Sequence, residues 1–159
     1  MLNRVVVFVV SVLLISCGGG KDEKTSDAPE TKEEKAPVEN LFEITEGQEV
    51  FFVNLKDGDQ VTSPVKVEMG VKGMEIEPAG EINKNKGHHH ILIGEPFYEA
   101  EKAVPADSTH IHYGKGQTET ELALPVGKHR ISLQFANGAH QSYGEKMSAS
   151  IEIEVVEAQ

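Results

Sequence analysis

Five of the seven histidines in this chain lie in two short segments, residues 86–93 (KGHHHILI) and residues 109–113 (THIHY). Imidazole is the most frequent side-chain ligand of metal ions in proteins, and it suits zinc, copper(II) and nickel. Two imidazoles that project from one rigid strand can meet the same ion through bonds of about 2.0–2.1 Å. The composition of the two segments therefore indicates a transition-metal site.

Strand geometry decides which of these histidines can share an ion. Successive side chains of a strand point to opposite faces, and residues two apart share a face at about 6.6 Å along the strand. His88 and His90 therefore project together, whereas His89 projects with Ile91 on the other face. The predicted metal ligands are His88, His90, His110, His112 and, from a later loop, His140, with His89 in a second-shell or core-edge position.

The donor set and the charge limit what the protein can bind. Cys17 is the only cysteine and lies near the N-terminus, so a thiolate site in the folded part is excluded, and an imidazole-rich site favours zinc or copper. The formal net charge of −11 repels nucleic acid and favours cations. The sequence has no basic stripe and no Gly-rich phosphate loop, so we expect neither nucleic acid nor nucleotide as a partner.

The residues that follow the second histidine pair are candidates for supporting the site. Two glycines, Gly114 and Gly116, allow a tight return of the chain. The polar residues Gln117, Thr118 and Glu119 can hydrogen-bond to the outer nitrogens of ligating imidazoles and so orient the rings. The alternative is a plain hairpin loop that leads into an edge strand and leaves these side chains in water.

The elements that must position these residues have the pattern of β-strands, because apolar and polar residues alternate between turns such as Asn137-Gly138. About seven segments show it: residues 49–55, 65–71, 89–93, 109–113, 120–124, 129–135 and 149–155. The pattern predicts an all-β, antiparallel, immunoglobulin-like β-sandwich over residues 41–159, with a small closed β-barrel as the alternative. A short helix is predicted only at residues 96–104, which prolines bracket.

The first forty residues have the composition of an export signal followed by a tether. Residues 1–16 carry one arginine and an apolar run, and the sequence LISC that ends at Cys17 resembles a bacterial lipobox. Acylation of Cys17 is the expected modification, and residues 17–40 have the composition of a disordered tether. We therefore expect an outer-membrane lipoprotein, periplasmic or surface-facing, that meets the membrane through its lipid anchor.

Several motifs of the folded part occur in the order found in a known family. They include VFFVNLKDGD (50–59), TSPVKV (62–67), GHHH (87–90) and HIHYGKGQTE (110–119). With these motifs the chain resembles domain-of-unknown-function family 4399 from about residue 49 onward. The resemblance implies one exported β domain without an agreed activity. It also implies more histidines after Gln134-Phe135 than this chain has, where His140 alone remains.

Three functions are compatible with these residues. The leading one is a non-enzymatic, lipid-anchored protein of the cell envelope that binds one zinc or copper ion through the strand histidines. The second is a metal-free module for an envelope protein or glycan partner, whose histidines form a patch that becomes charged near pH 6.5. The third is a zinc hydrolase or hydratase with Glu119 as base, for which the sequence offers no helical His-Glu-x-x-His motif.

Overall fold

The computed structural model describes residues 40–158, and these residues are organised as β-strands, which confirms the all-β prediction. The strands are β1 (Glu49–Phe52), β2 (Gln60–Thr62), β3 (Val65–Lys72), β4 (Glu75–Ile76), β5 (Lys86–Ile93), β6 (His110–His112), β7 (Glu119–Leu122), β8 (Gly127–Ala136) and β9 (Ser148–Val156). A single-turn 3-10 helix, Glu145–Met147, precedes β9. Within the described range no helix has the length and apolarity to cross a bilayer. The predicted export signal, the lipidation site Cys17 and nearly all of the tether lie outside the described residues.

The strands form a small and a large sheet that pack as a sandwich. The small sheet has the order β1-β3-β7, and the large sheet has the order β2-β9-β8-β5-β4, with β6 also paired to β5. The long strands pair antiparallel as predicted, but two short strands pair parallel, β2 with β9 and β4 with β5. The sequence analysis missed β2 and β4, because two or three residues are too few to show an alternating pattern.

The apolar residues of the long strands fill the space between the sheets. The small sheet contributes Val67 of β3, and the large sheet contributes Ile91 of β5 and Leu133 of β8; all three side chains are fully buried. Full burial of each such side chain contributes about 1.5–3 kcal/mol. A slip of β5 by one residue would turn Ile91 outward and His88 and His90 inward, so this core fixes the face on which those two histidines lie.

The loop between β5 and β6 and the loop between β8 and β9 cover the opposite, outer face of the large sheet. Leu92 of β5 and Val104 of the loop between β5 and β6 are buried there in a small cluster of their own. The predicted helix at residues 96–104 is wrong, because Glu101 adopts a left-handed φ of 66° and the segment bonds to the loop after β8 instead. The two loops together form a second layer over the histidine-bearing face.

Candidate metal centre

Four histidines converge on the outer face of the large sheet. His88 and His90 come from β5, His112 comes from β6, and His140 comes from the loop after β8. One ring nitrogen from each of them lies within 4.8 Å of those of the other three. We refer to His88, His90, His112 and His140 as the four-histidine cluster.

Strand pairing places three of the four rings side by side. In the antiparallel register of β5 and β6, His90 lies directly opposite His112, and the two rings stack with their centroids 4.9 Å apart. His88 follows on the same face of β5, and its ring centroid lies 5.0 Å from each of the other two. A pair of adjacent strands therefore supplies most of the cluster without any loop.

Three nitrogen separations in the cluster, those that include His88, are close to the separations between ligands of one ion. The Nε2 atom of His88 lies 3.2 Å from Nε2 of His90, from Nε2 of His112 and from Nδ1 of His140. An imidazole nitrogen carries either one proton or one lone pair, so it cannot form three full hydrogen bonds at once. Nitrogens at about 2.0–2.1 Å from a tetrahedral ion lie about 3.3 Å from one another. The cluster therefore has dimensions that suit a metal ion better than a hydrogen-bonded network.

The electrostatics of the cluster keep its buried rings neutral. Burial, followed by repulsion from the neighbouring histidines, lowers the pKa of His88 to about 4 and the pKa of His90 to about 2. Burial and the nearby His140 also lower the pKa of His112. Metals bind the neutral form of imidazole, so protons compete weakly for these nitrogens near neutral pH.

Gly114 provides the space in which the ring of His112 lies. A Cβ atom on residue 114 would overlap Cε1 and Nε2 of that ring and would lie 3.3 Å from the Cβ of Ala79. The sequence analysis assigned Gly114 to a tight turn and missed this contact. A glycine two residues after a His-x-His pair is the sequence signal that could have indicated this contact.

If the cluster binds zinc, Gly114→Ala should weaken that binding by about 10-fold or more, because its methyl group displaces Nε2 of His112, one of the four candidate ligands. Changes in the placement of a ligand typically alter affinity by about 10–100-fold. The measurement is a competition titration with a chromophoric chelator. Lys115→Ala, at the next and exposed position, serves as the control and should change affinity by no more than about threefold. Equal affinities of the Gly114→Ala variant and the wild type would show that His112 does not ligate the ion.

His110 lies on the same face of β6 as His112 but outside the cluster. Its Nδ1 atom donates to Oδ1 of Asp107 at 2.9 Å, and its Nε2 atom lies 3.6 Å from Oε1 of Glu95. The hydrogen bond from His110, together with those from Thr109, holds the pKa of Asp107 well below its usual range. The sequence analysis assigned His110 and His112 to one ion. The structure separates them, because His112 lies opposite His90 whereas His110 lies opposite Leu92, further from His88, and bonds to Asp107.

His89 lies in the core between the sheets and takes no part in supporting the cluster. Its ring packs edge-on against Phe135 with the centroids 5.1 Å apart, and both of its nitrogens are buried without a hydrogen-bond partner. Burial lowers its pKa to about 4. The sequence analysis gave His89 a second-shell or core-edge position, and the structure buries its ring completely on the core side of β5.

The polar residues after Gly116 bond to groups other than the rings of the four-histidine cluster. Oε1 of Gln117 accepts a hydrogen bond from the backbone of Lys115 at 2.9 Å, which closes the turn. The side chain of Glu119 lies 3.3 Å from Nζ of Lys66 on β3. The carbonyl of Thr118 accepts from the backbone of Met69 at 2.8 Å. The edge-strand part of the alternative is confirmed, because β7 lies at the edge of the small sheet. The hairpin part is wrong, because β6 pairs with β5 in the large sheet and the segment therefore crosses from one sheet to the other.

Comparison with known proteins places this centre in a family. The family model described as "Domain of unknown function (DUF4399)" matches residues 67–156, which include all four histidines of the cluster. The chain belongs to this family. Among solved structures, the endo-beta-1,4-mannanase from Thermotoga petrophila is similar to this DUF4399 chain with a TM-score of 0.41 and 16% identity, over 70% of this chain and 20% of the mannanase. The chain thus spans about a fifth of that enzyme, and a likeness at this level carries no argument about function. None of the curated proteins matches the chain.

Proposed function

We propose that this protein binds one transition-metal ion, zinc or copper, through the four-histidine cluster. The observation that carries the proposal is the position of His88 Nε2, which lies 3.2 Å from a nitrogen of each of the other three histidines. This spacing is that of a ligand shell, and burial keeps His88 and His90 in the neutral form that a metal requires. The absence of cysteine from residues 41–159 favours zinc or copper(II) over ions that need thiolate.

The number of ligands favours binding over catalysis. Catalytic zinc sites keep three protein ligands and one open position for water, whereas four protein ligands close a tetrahedral site. Glu119, the candidate base for a hydrolase, is paired with Lys66 of the small sheet. Storage, delivery or structural stabilisation by the ion is therefore the role that we propose.

Burial also favours the metal site over a metal-free interaction surface. His88 and His90 are 0% and 1% exposed, so a protein or glycan partner cannot reach their rings in this fold. Only His112 and, in part, His140 are open to solvent. A patch for partner recognition needs exposed side chains, whereas a metal site gains from buried ones.

The sequence supports a proposal for the place where this ion is bound. The lipobox-like segment that ends at Cys17 and the tether-like composition of residues 17–40 suit a lipoprotein of the outer membrane. We propose that the membrane is reached through the acylated cysteine and that the domain binds its ion in the cell envelope.

Titration of the fragment 37–159 with zinc and with copper(II) tests the proposed function. The described part of this fragment encloses its own hydrophobic core. After treatment with a chelator, we expect one ion to bind per chain with a Kd tighter than about 10 μM, and X-ray absorption to show a shell of four nitrogens. No binding, or binding that survives removal of the cluster histidines, would contradict the proposal.

A further inference from the structure

The side chain of Asn137 spans the chain on both sides of His140. Its Oδ1 atom accepts hydrogen bonds from the backbone N–H groups of Ala139 and Gln141, both at 3.0 Å. Its Nδ2 atom donates to Oε1 of Gln141 at 3.0 Å. The side chain is fully buried, so each of these bonds is shielded from water.

The backbone of His140 has a conformation that needs such support. Its φ is 65°, in the left-handed region that few residues other than glycine adopt. The N–H of His140 donates to the carbonyl of Asn137 at 2.9 Å, and the N–H of Asn137 donates to the carbonyl of Gln141 at 3.0 Å. From the loop between β5 and β6, the N–H of Val104 donates to the carbonyl of His140 at 2.9 Å. Hydrogen bonds to the N–H and to the carbonyl of His140, and between its neighbours, thus fix the left-handed backbone of this residue.

His140 differs from the other three members of the cluster in the nitrogen that it presents. It approaches His88 through Nδ1, whereas His88, His90 and His112 present Nε2. Nδ1 lies closer to the main chain than Nε2 does, so a rotation about the Cα–Cβ bond displaces it less. The position of this nitrogen therefore follows the backbone of residue 140 closely.

We propose that Asn137 is a positioning residue for the metal centre, which fixes the backbone of residue 140 so that Nδ1 of His140 faces the ion before the ion arrives. The inference rests on the proposed metal site. It assigns a role to the Asn137-Gly138 pair that the sequence analysis interpreted only as a turn. Residues that orient ligands in this way typically change metal affinity by 10–100-fold when they are replaced.

A double-mutant cycle in fragment 37–159 tests this role, with zinc Kd values measured by chelator competition at a temperature where circular dichroism shows the apo protein folded. Asn137→Ala should weaken binding by about 10–100-fold, and the Asn137→Ala/His140→Ala double variant should bind no more weakly than His140→Ala alone. Gln141→Ala, which keeps both backbone bonds to Oδ1, is the matched control and should stay within about threefold of wild type.

The outcomes separate this inference from the proposed function. The inference would be overturned if Asn137→Ala left the zinc Kd unchanged. It would also be overturned if Asn137→Ala weakened zinc binding by the same factor whether or not His140 is present. In either case, zinc binding by the wild type would leave the proposed function standing. A wild type that binds no zinc would overturn both. If Asn137→Ala does not fold, hydrogen exchange on the wild type decides: the amides of Ala139 and Gln141 should be protected in the apo protein, and protection only after zinc addition would contradict prepositioning.

Discussion

Replacing His88 with alanine should weaken zinc binding by more than about 100-fold, since replacing a residue that merely orients a ligand already costs 10–100-fold. Nε2 of His88 lies 3.2 Å from a ring nitrogen of each of the other three members of the cluster. Its removal takes away one of the four proposed ligands and opens the centre of the cluster to water. Competition titration with a chelator of known affinity gives the ratio of the two Kd values.

His110→Ala is the matched control for this loss. His110 is a buried histidine of β6, two residues from His112 and on the same face, yet it bonds to Asp107 instead of the cluster. Its replacement should leave the zinc Kd within about threefold of wild type. If His110→Ala weakens binding as much as His88→Ala does, the ion is held by the pairs His88/His90 and His110/His112 that the strand pattern alone suggested.

Thermal or urea unfolding distinguishes a lost ligand from a damaged fold in the same variants. An ion that binds only the folded state stabilises it by about 2.7 kcal/mol at 100 times the Kd. Wild type and His110→Ala should show this gain when zinc is added, and His88→Ala should not. The quantity to compare is the gain in stability on zinc addition, and not the stability in chelator, because His88→Ala also leaves a cavity where a fully buried ring lies.

The faces of the strands could be predicted from the sequence, because a period of two is a local property. His88 and His90 on one face and His89 with Ile91 on the other follow from neighbouring residues alone, and the core then fixes this choice. The same reasoning correctly placed His110 and His112 on one face of their strand. Local alternation thus accounts for the all-β class and for the orientation of each histidine.

The partner of each histidine could not be predicted, because strand register depends on contacts between distant parts of the chain. His112 rather than His110 joins the cluster only because β5 and β6 pair with His90 opposite His112. A register shifted by two residues would keep every face and would place His110 opposite His90 instead. The turn chemistry at Asn137 was visible in the sequence, but its effect on a ligand depends on the left-handed backbone of His140.

Acid should destabilise the metal-free domain between about pH 6.5 and pH 4, and His89 should account for about 3 kcal/mol of that loss. Burial lowers the pKa of His89 to about 4 in the folded protein, whereas histidine in an unfolded chain has a pKa of about 6.5. Below pH 6.5 the unfolded chain therefore binds more protons at this residue than the folded chain does. The free energy of unfolding is highest above pH 6.5 and falls as the pH decreases towards 4.

His89→Leu removes the contribution of His89 to this pH dependence and should make the domain more acid-resistant. In urea unfolding with chelator present, the variant should gain about 2–3 kcal/mol more over wild type at pH 4.5 than at pH 7. At pH 7 the substitution should be neutral or stabilising, because it replaces two buried, unpartnered nitrogens with an apolar side chain. A large loss of stability at pH 7 would show that these nitrogens have partners in solution, such as a buried water.

Phe135→Leu is the control for packing at the same place, because Phe135 contacts the ring of His89 but does not titrate. It should lower the free energy of unfolding by about 1 kcal/mol or more at both pH values, without changing the difference between them. Zinc affinity gives the second comparison, since His89 faces the core and the cluster lies on the other side of β5. His89→Leu should therefore keep the wild-type Kd, and a loss approaching that of His88→Ala would mean that the core and the metal centre are coupled through β5.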